Sequence, residues 1–212
     1  MYQRIVVALC AATLVGCASA PKPQQPTTPN APQTKPSSPE QAWQQRQATF
    51  ARMAAWQLQG KVGIQFRDQS ATFGITWAQR GADQYEMNIK HPLTGAVVAL
   101  LNGSAGRVSL TTNGKTTQDA SAEHLLKSQV GVSLPVEGMK YWVRGVAAPG
   151  MPIQQVKLDY YGRPEVLQQA GWVIEYPEWE GNGTNALPEK IQLKRAAENT
   201  RVKVVAQNWQ TK

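Results

Sequence analysis

Cys17 is the residue whose type and setting best suit covalent chemistry. Ionised, its sulfur is a strong nucleophile, and it directly follows small Gly16, where an enzyme can approach the backbone. Other chemistry-bearing residues are sparse. His91 and His124 are the only histidines; they are far apart and lack a spaced carboxylate partner, so each reads as a surface or loop histidine rather than a metal ligand. Ser104 lies in Asn102-Gly103-Ser104-Ala105-Gly106, which is not the G-x-S-x-G order of a nucleophile elbow and falls between two expected strands. No phosphate-cradling or dinucleotide-binding glycine pattern occurs. Of the two cysteines, Cys10 falls in an apolar leader, so the mature chain keeps only Cys17 and has neither a disulfide nor a thiolate metal site to form. Nothing here supports catalysis, and neither a metal nor a cofactor is expected.

The leader explains Cys17. Arg4 gives a positive start, and Ile5 to Val15 is nearly all apolar, too short to span a bilayer and of the length of a secretory h-region. It ends in Leu14-Val15-Gly16-Cys17, which resembles the lipobox of bacterial lipoproteins. On that reading residues 1–16 are a removed signal, and the Cys17 thiolate takes a diacylglyceryl group. Ala18 follows, rather than an acidic residue, as in lipoproteins sent onward to the outer membrane.

Residues 17–39 then form a tether. Seven of the chain's 14 prolines fall there, among Gln, Thr, Ser, Asn and Lys, a composition that cannot bury a core. At ~3.1 Å per residue its reach is at most on the order of 70 Å. Loss of Arg4 lowers the formal charge of +8 by one. The remaining excess suits anionic lipid headgroups or an acidic protein partner, or is simply a solvated face. The cations are scattered with no run of three, which argues against nucleic acid.

A globular domain of residues 40–212 follows. Ser38, Pro39 and Glu40 are a helix start, and Trp43, Phe50, Met53 and Ala54 recur at helical spacing. The period then becomes two. Trp56, Leu58, Val62, Ile64 and Phe66 alternate with polar residues, as do Phe73, Ile75 and Trp77, then Tyr85, Met87 and Ile89, with turns at Asp68-Gln69-Ser70 and Gly81-Ala82-Asp83. This predicts half-buried antiparallel strands. Strands continue over 96–101 and 107–112, and Asn113-Gly114 predicts a type I′ hairpin. Two helices are expected, one near 121–130 with Leu125, Leu126 and Val130 inward, one from Leu134-Pro135 to before Gly145 with Val136, Met139, Trp142 and Val143 on one side. Strands resume near 156–158, 165–169, 171–176, 190–194 and 201–209, the last with a bulge between Val204 and Val205. The fold class is mainly β (α+β): about eleven strands in one curved sheet wrapped around helices, which leave a cavity or a looser core.

Several motifs occur together in one order: the lipobox, the tether, the first helix, the meander, the loop His91-Pro92-Leu93-Thr94-Gly95, and the helix Leu134-Pro135-Val136-Glu137-Gly138-Met139-Lys140-Tyr141-Trp142-Val143-Arg144-Gly145. In this respect residues 40 to 212 resemble the LolB family of outer-membrane lipoprotein receptors. The resemblance implies an unclosed antiparallel β-barrel with a helical lid over an apolar cavity. It implies acceptance of client lipoproteins from a LolA-like periplasmic carrier, acyl chains housed in the cavity, and delivery to the outer membrane by a monomer anchored there and facing the periplasm. Burying a methylene is worth about 0.8 kcal/mol, so a sixteen-carbon chain exposed to water costs on the order of 12 kcal/mol. Such cargo needs shelter. The candidate lining is Ile64, Phe66, Phe73, Ile75, Trp77, Met139, Trp142 and Trp172. The tryptophans equally suit plain core, in which case the domain would be a filled protein-interaction module. The resemblance makes Leu93, with Pro92 and Gly95, a membrane-targeting loop; the plain alternative folds Leu93 back on the core. The loop reads Pro-Leu-Thr-Gly where the family form is Pro-Leu-Gly.

Overall fold

The structure, a computed structural model, describes residues 38–131 and 133–211. The expected signal, lipidated Cys17 and tether through residue 37 lie outside the described residues, as does the side chain of Val130. The elements are α1 (Pro39–Arg52), β1 (Ala55–Phe66), β2 (Gln69–Arg80), β3 (Tyr85–Lys90), β4 (Val97–Ser104), β5 (Arg107–Thr112), β6 (Lys115–Asp119), α2 (Ala122–Val130), α3 (Val136–Trp142), β7 (Ile153–Leu158), β8 (Pro164–Gln169), β9 (Trp172–Trp179), β10 (Pro188–Arg195), a 3-10 turn (Ala196–Glu198) and β11 (Thr200–Thr211).

All eleven strands belong to one antiparallel sheet in the order β6-β5-β4-β3-β2-β1-β11-β10-β9-β8-β7. β6 and β7 are its edges, unpaired with each other among the described residues, so this is the expected unclosed barrel. The chain between the two edges carries α2 and α3. An apolar sheet face cannot stay wet, and these helices cover it from within.

Period-two patterning sets the inner face. Trp56, Leu58, Val62 and Ile64 of β1 are buried, and so are Val202 and Val204 of β11, Ile191 and Leu193 of β10, and Trp172, Ile174 and Tyr176 of β9. Register aligns them: Ile64 is opposite Val202, Leu58 opposite Trp77, and Leu193 opposite both Val202 and Ile174. The Asn113-Gly114 hairpin has positive φ at both residues, 51° and 74°, as a type I′ turn requires.

Three local expectations are corrected. The β1–β2 turn is Arg67-Asp68, because Phe66 pairs directly with Gln69 and Arg67 takes φ 53°; Gln69 and Ser70 begin the next strand. The β11 bulge falls at Gln207, between the pairs Gly60–Ala206 and Gln59–Asn208, three residues beyond the place where apolar parity shifts. α1 ends at Arg52, with Met53 extended as its cap and its N–H bonded to the Phe50 carbonyl; Ala54 lies beyond the helix.

Strand direction gives the barrel two different ends. The β2–β3, β4–β5, β7–β8 and β9–β10 turns share one, and α1 lies across it. The Ser38 hydroxyl caps α1 by accepting from the Gln41 amide at 3.3 Å. Gly162 of the β7–β8 turn approaches so closely that a Cβ there would stand 2.4 Å from Ala42 Cβ; with φ 71° the site has room only for glycine. The β1–β2, β3–β4, β5–β6, β8–β9 and β10–β11 turns form the other end, where α2 lies.

Candidate functional site: an apolar cavity under a helix

A cavity of about 510 Å³ opens at the α2 end. β1 and β2 contribute Ile64, Phe66, Ala71 and Phe73; β3, β4 and β5 contribute Ile89, Val98, Ala99 and Leu110; Leu126 and Leu134 close it from the helical side. Polar lining is confined to Gln69, Ser70, Thr112, Asn113 and Gln129. Among the described residues no ionisable side chain lines the space, so a guest is held by area burial, roughly 25 cal/mol per Å², and can leave again. A second depression, of about 380 Å³, is lined by Gln65, Thr72, Gln192, Lys194, Arg201 and Lys203 around Gly63; these outward residues suit water better than an acyl chain.

Of the eight candidate lining residues, Ile64, Phe66 and Phe73 are on the cavity wall. Ile75, Trp77, Met139, Trp142 and Trp172 belong to the continuous core. The Trp142 and Trp172 rings lie 6.5 Å apart, and Trp142 Nε1 donates to Gln169 Oε1 at 2.8 Å. Wall residues outside the sequence-based set include Ile89, Leu110 and Leu126, each apolar at a position that the periodicity marks as inward. Val98 carried no such signal. Ile89 pairs with Ala99 and Lys90 with Val97, so Val98 is the extra residue of a bulge. The bulge breaks alternation and lets Val98 and Ala99 both face the cavity.

The β3–β4 loop stands at the same end. Leu93 is 90% exposed, with Val97 and Val98 exposed beside it. The loop is closed by its own bonds: His91 N–H donates to the Ala96 carbonyl at 2.8 Å and Gly95 N–H to the His91 carbonyl at 2.9 Å. The amides of Leu93 and Thr94 both donate to His91 Nδ1 at 3.3 Å. Gly95 has φ 72°, and Thr94 Oγ1 accepts from the Ala96 amide at 3.3 Å. Thr94 is thus accommodated within the turn while Leu93 points to solvent.

The opposite end is fastened by residues that periodicity does not reveal. Arg46 of α1 is fully buried. Its Nε donates to the Gly145 carbonyl at 2.8 Å, Nη2 to that of Arg144, and Nη1 to those of Thr184 and Ala186, while its guanidinium stacks 4.8 Å from the Trp179 ring. Arg144, in the Tyr-Trp-Val-Arg-Gly segment, donates to the Lys140 and Phe50 carbonyls at 2.9 and 3.0 Å. Desolvation pushes Arg46 down to about 9 and Arg144 down to about 10, so both stay charged at neutral pH. Away from that end, beside the β8–β9 turn, buried Gln169 accepts from Ala148 N–H and donates to the Ala148 and Met151 carbonyls. Burial raises the Tyr176 pKa, and its hydroxyl donates to the Trp142 carbonyl at 2.9 Å.

Among the described residues no cluster of three His, Cys, Asp or Glu is placed to hold a metal. His124 instead pairs with Asp119 at 2.6 Å on the surface.

The fold and the sequence have clear relatives. In shape, a domain from Vibrio parahaemolyticus described as an outer membrane lipoprotein-sorting protein domain superposes with a TM-score of 0.56, covering 82% of this chain and 92% of that one at 7% identity. By sequence, the outer-membrane lipoprotein LolB of Nitrosococcus oceani is 37% identical over 84% of this chain and 88% of its own length. That of Cellvibrio japonicus is 35% identical over 99% and 98%. The family described as outer membrane lipoprotein LolB matches residues 54–209, from just before β1 into β11, and the chain belongs to that family.

Proposed function

We propose that this protein receives lipoproteins from a LolA-like periplasmic carrier, shelters an acyl chain in the cavity, and inserts the cargo into the outer membrane. The observation that carries the reading is one of place: an uncharged, apolar cavity of about 510 Å³ opens at the same end of the barrel as the exposed Leu93. The cavity answers the cost of moving an acyl chain through water. The leucine, with Pro92 and Gly95 shaping its loop, answers the need for an apolar tip at the bilayer surface. Ile64, Phe66 and Phe73 form the contact wall, while Ile75, Trp77, Met139, Trp142 and Trp172 support it from the core. The function is binding and hand-off, not catalysis, carried out by a monomer. Cys17 anchors the mature chain in the outer membrane, facing the periplasm.

Leu93→Glu tests the division of labour. The side chain opens no core cavity on removal, so stability should change by no more than roughly 0.5 kcal/mol. Acceptance of cargo from the carrier should persist, while insertion into liposomes should fail, since a carboxylate resists entry into the apolar layer at a cost of a few kcal/mol. Equal loss of both steps would place Leu93 in the pocket and refute the tip reading.

A further inference from the structure

Cations outnumber acids around the mouth of the cavity. Arg67 is in the β1–β2 turn, Lys90 ends β3 just before the Leu93 loop, Lys115 follows the Asn113-Gly114 hairpin, and Lys127 is on α2. Arg67, Lys115 and Lys127 are exposed and Lys90 is half-buried. Among the described residues none of the four makes an ion pair. Three acids face them. Asp68 adjoins Arg67, and Glu123 and Glu198 both lie against Arg195, at 3.8 and 3.5 Å. At the α1 end signs are mixed, with Glu40, Asp83 and Glu180 among Arg52, Arg80 and Arg107.

Beside these cations lies an apolar patch. Among the described residues, Leu93, Val97 and Val98 are three of the five large hydrophobic residues that are exposed, and Val98 also lines the cavity. An apolar tip beside cations that make no ion pair among the described residues matches a layer with anionic headgroups above hydrocarbon. We propose that the mouth rim is a docking surface for anionic phospholipid, with Arg67, Lys90, Lys115 and Lys127 bound to headgroups while Leu93, Val97 and Val98 enter the apolar layer. Val98 then joins cavity and bilayer, so a chain sliding out meets apolar surface along its path. This rests on the acyl-receiving reading above and adds to it a lipid preference.

The test uses the full-length protein reconstituted in proteoliposomes of phosphatidylethanolamine with 0 to 30% phosphatidylglycerol, offered a carrier–lipoprotein complex. Acceptance is read by crosslinking cargo to the protein, and delivery by cargo that resists carbonate extraction. Delivery per accepted cargo should rise with anionic fraction and fall again in high salt. Each cation at the surface contributes up to about five-fold, so the triple variant Arg67→Gln, Lys115→Gln, Lys127→Gln should lose most of the rise and keep wild-type acceptance. A delivery rate indifferent to anionic lipid in the wild type would overturn the proposal. Loss of acceptance with unchanged delivery per accepted cargo would also overturn it, and would assign the rim to an acidic protein such as the carrier. No acceptance by the wild type at all would refute the acyl-receiving reading itself, and this one with it.

Discussion

Ala99→Phe should shorten the longest acyl chain the protein holds well. Ala99 lies on the cavity wall, flanked in the sheet by Ile89 and Thr112. A methylene occupies roughly the ~30 Å³ that a water molecule takes in the liquid. The cavity of about 510 Å³ therefore matches a single chain of palmitoyl length. A phenyl ring at Ala99 brings six further carbons into that space and leaves room for about ten of the chain's, interiors being packed as densely as organic crystals. Each buried methylene is worth about 0.8 kcal/mol, or roughly four-fold in affinity. Wild-type affinity should thus climb about four-fold per carbon up to sixteen, whereas that of the variant should level off near ten. At sixteen carbons the two should differ by up to about 5 kcal/mol. Because the ring fills existing space, the variant should be no less stable. Displacement of a fluorescent fatty acid by a series from eight to eighteen carbons reads this directly. Equal increments in both proteins up to sixteen carbons would show that the chain resides elsewhere, and the reasoning from cavity volume would fail.

Two further expectations follow. Arg46→Met should destabilise the domain by about 3–5 kcal/mol, since it removes the donors of four carbonyls in a buried site; a urea midpoint shift equivalent to less than about 1 kcal/mol would show those carbonyls to be satisfied otherwise. Tether shortening should have a threshold: twelve-residue β1 spans about 36–40 Å from the end where the chain enters at Ser38 to the mouth. At ~3.3–3.6 Å per residue, an anchored protein keeping fewer than about eleven residues between Cys17 and Ser38 should accept cargo yet fail to deliver it into its own membrane, and equal delivery at five residues would refute this.

Most of the strands were legible because burial and pleat share one period, whereas their order in the sheet, with β1 beside β11, leaves no mark in the alternation. Wherever Trp56, Leu58, Val62 and Ile64 alternate with polar residues, the sheet has no second way to face. The bulges were less legible. Val204 and Val205 break parity in the sequence, yet the extra residue is Gln207, since register depends on which backbone bonds form across β1 and not on side-chain type. The same holds at Val98. The tryptophans mark core and cavity wall with equal strength; only the path of α2, which follows from the β6 and β7 edges being left unpaired, decides which apolar residues have neighbours and which have space. The buried arginines were not legible at all. A lone Arg46 in a polar helix stretch reads as solvated, and its partners, the carbonyls of Arg144, Gly145, Thr184 and Ala186, leave no side-chain signature.

Those arginines bear on how a client with more than one acyl chain is held. On the proposed reading a single chain of palmitoyl length would fill the cavity of about 510 Å³, so room for others would have to be made by moving part of the wall. The α1 end resists this, because Arg46, Arg144 and Tyr176 bind it through buried hydrogen bonds to the backbone, each of which costs more to break than a solvated contact. α2 is held differently. Leu125 and Leu126 bury its inner face, its first turn reaches Arg195 through a 3.8 Å ion pair, and His124–Asp119 is a surface contact of the kind worth at most about 1 kcal/mol. The residues an outward shift of α2 would expose are the apolar ones that an acyl chain would cover again. Opening at that end is therefore offset by the guest that requires it, whereas no guest compensates for opening at the other.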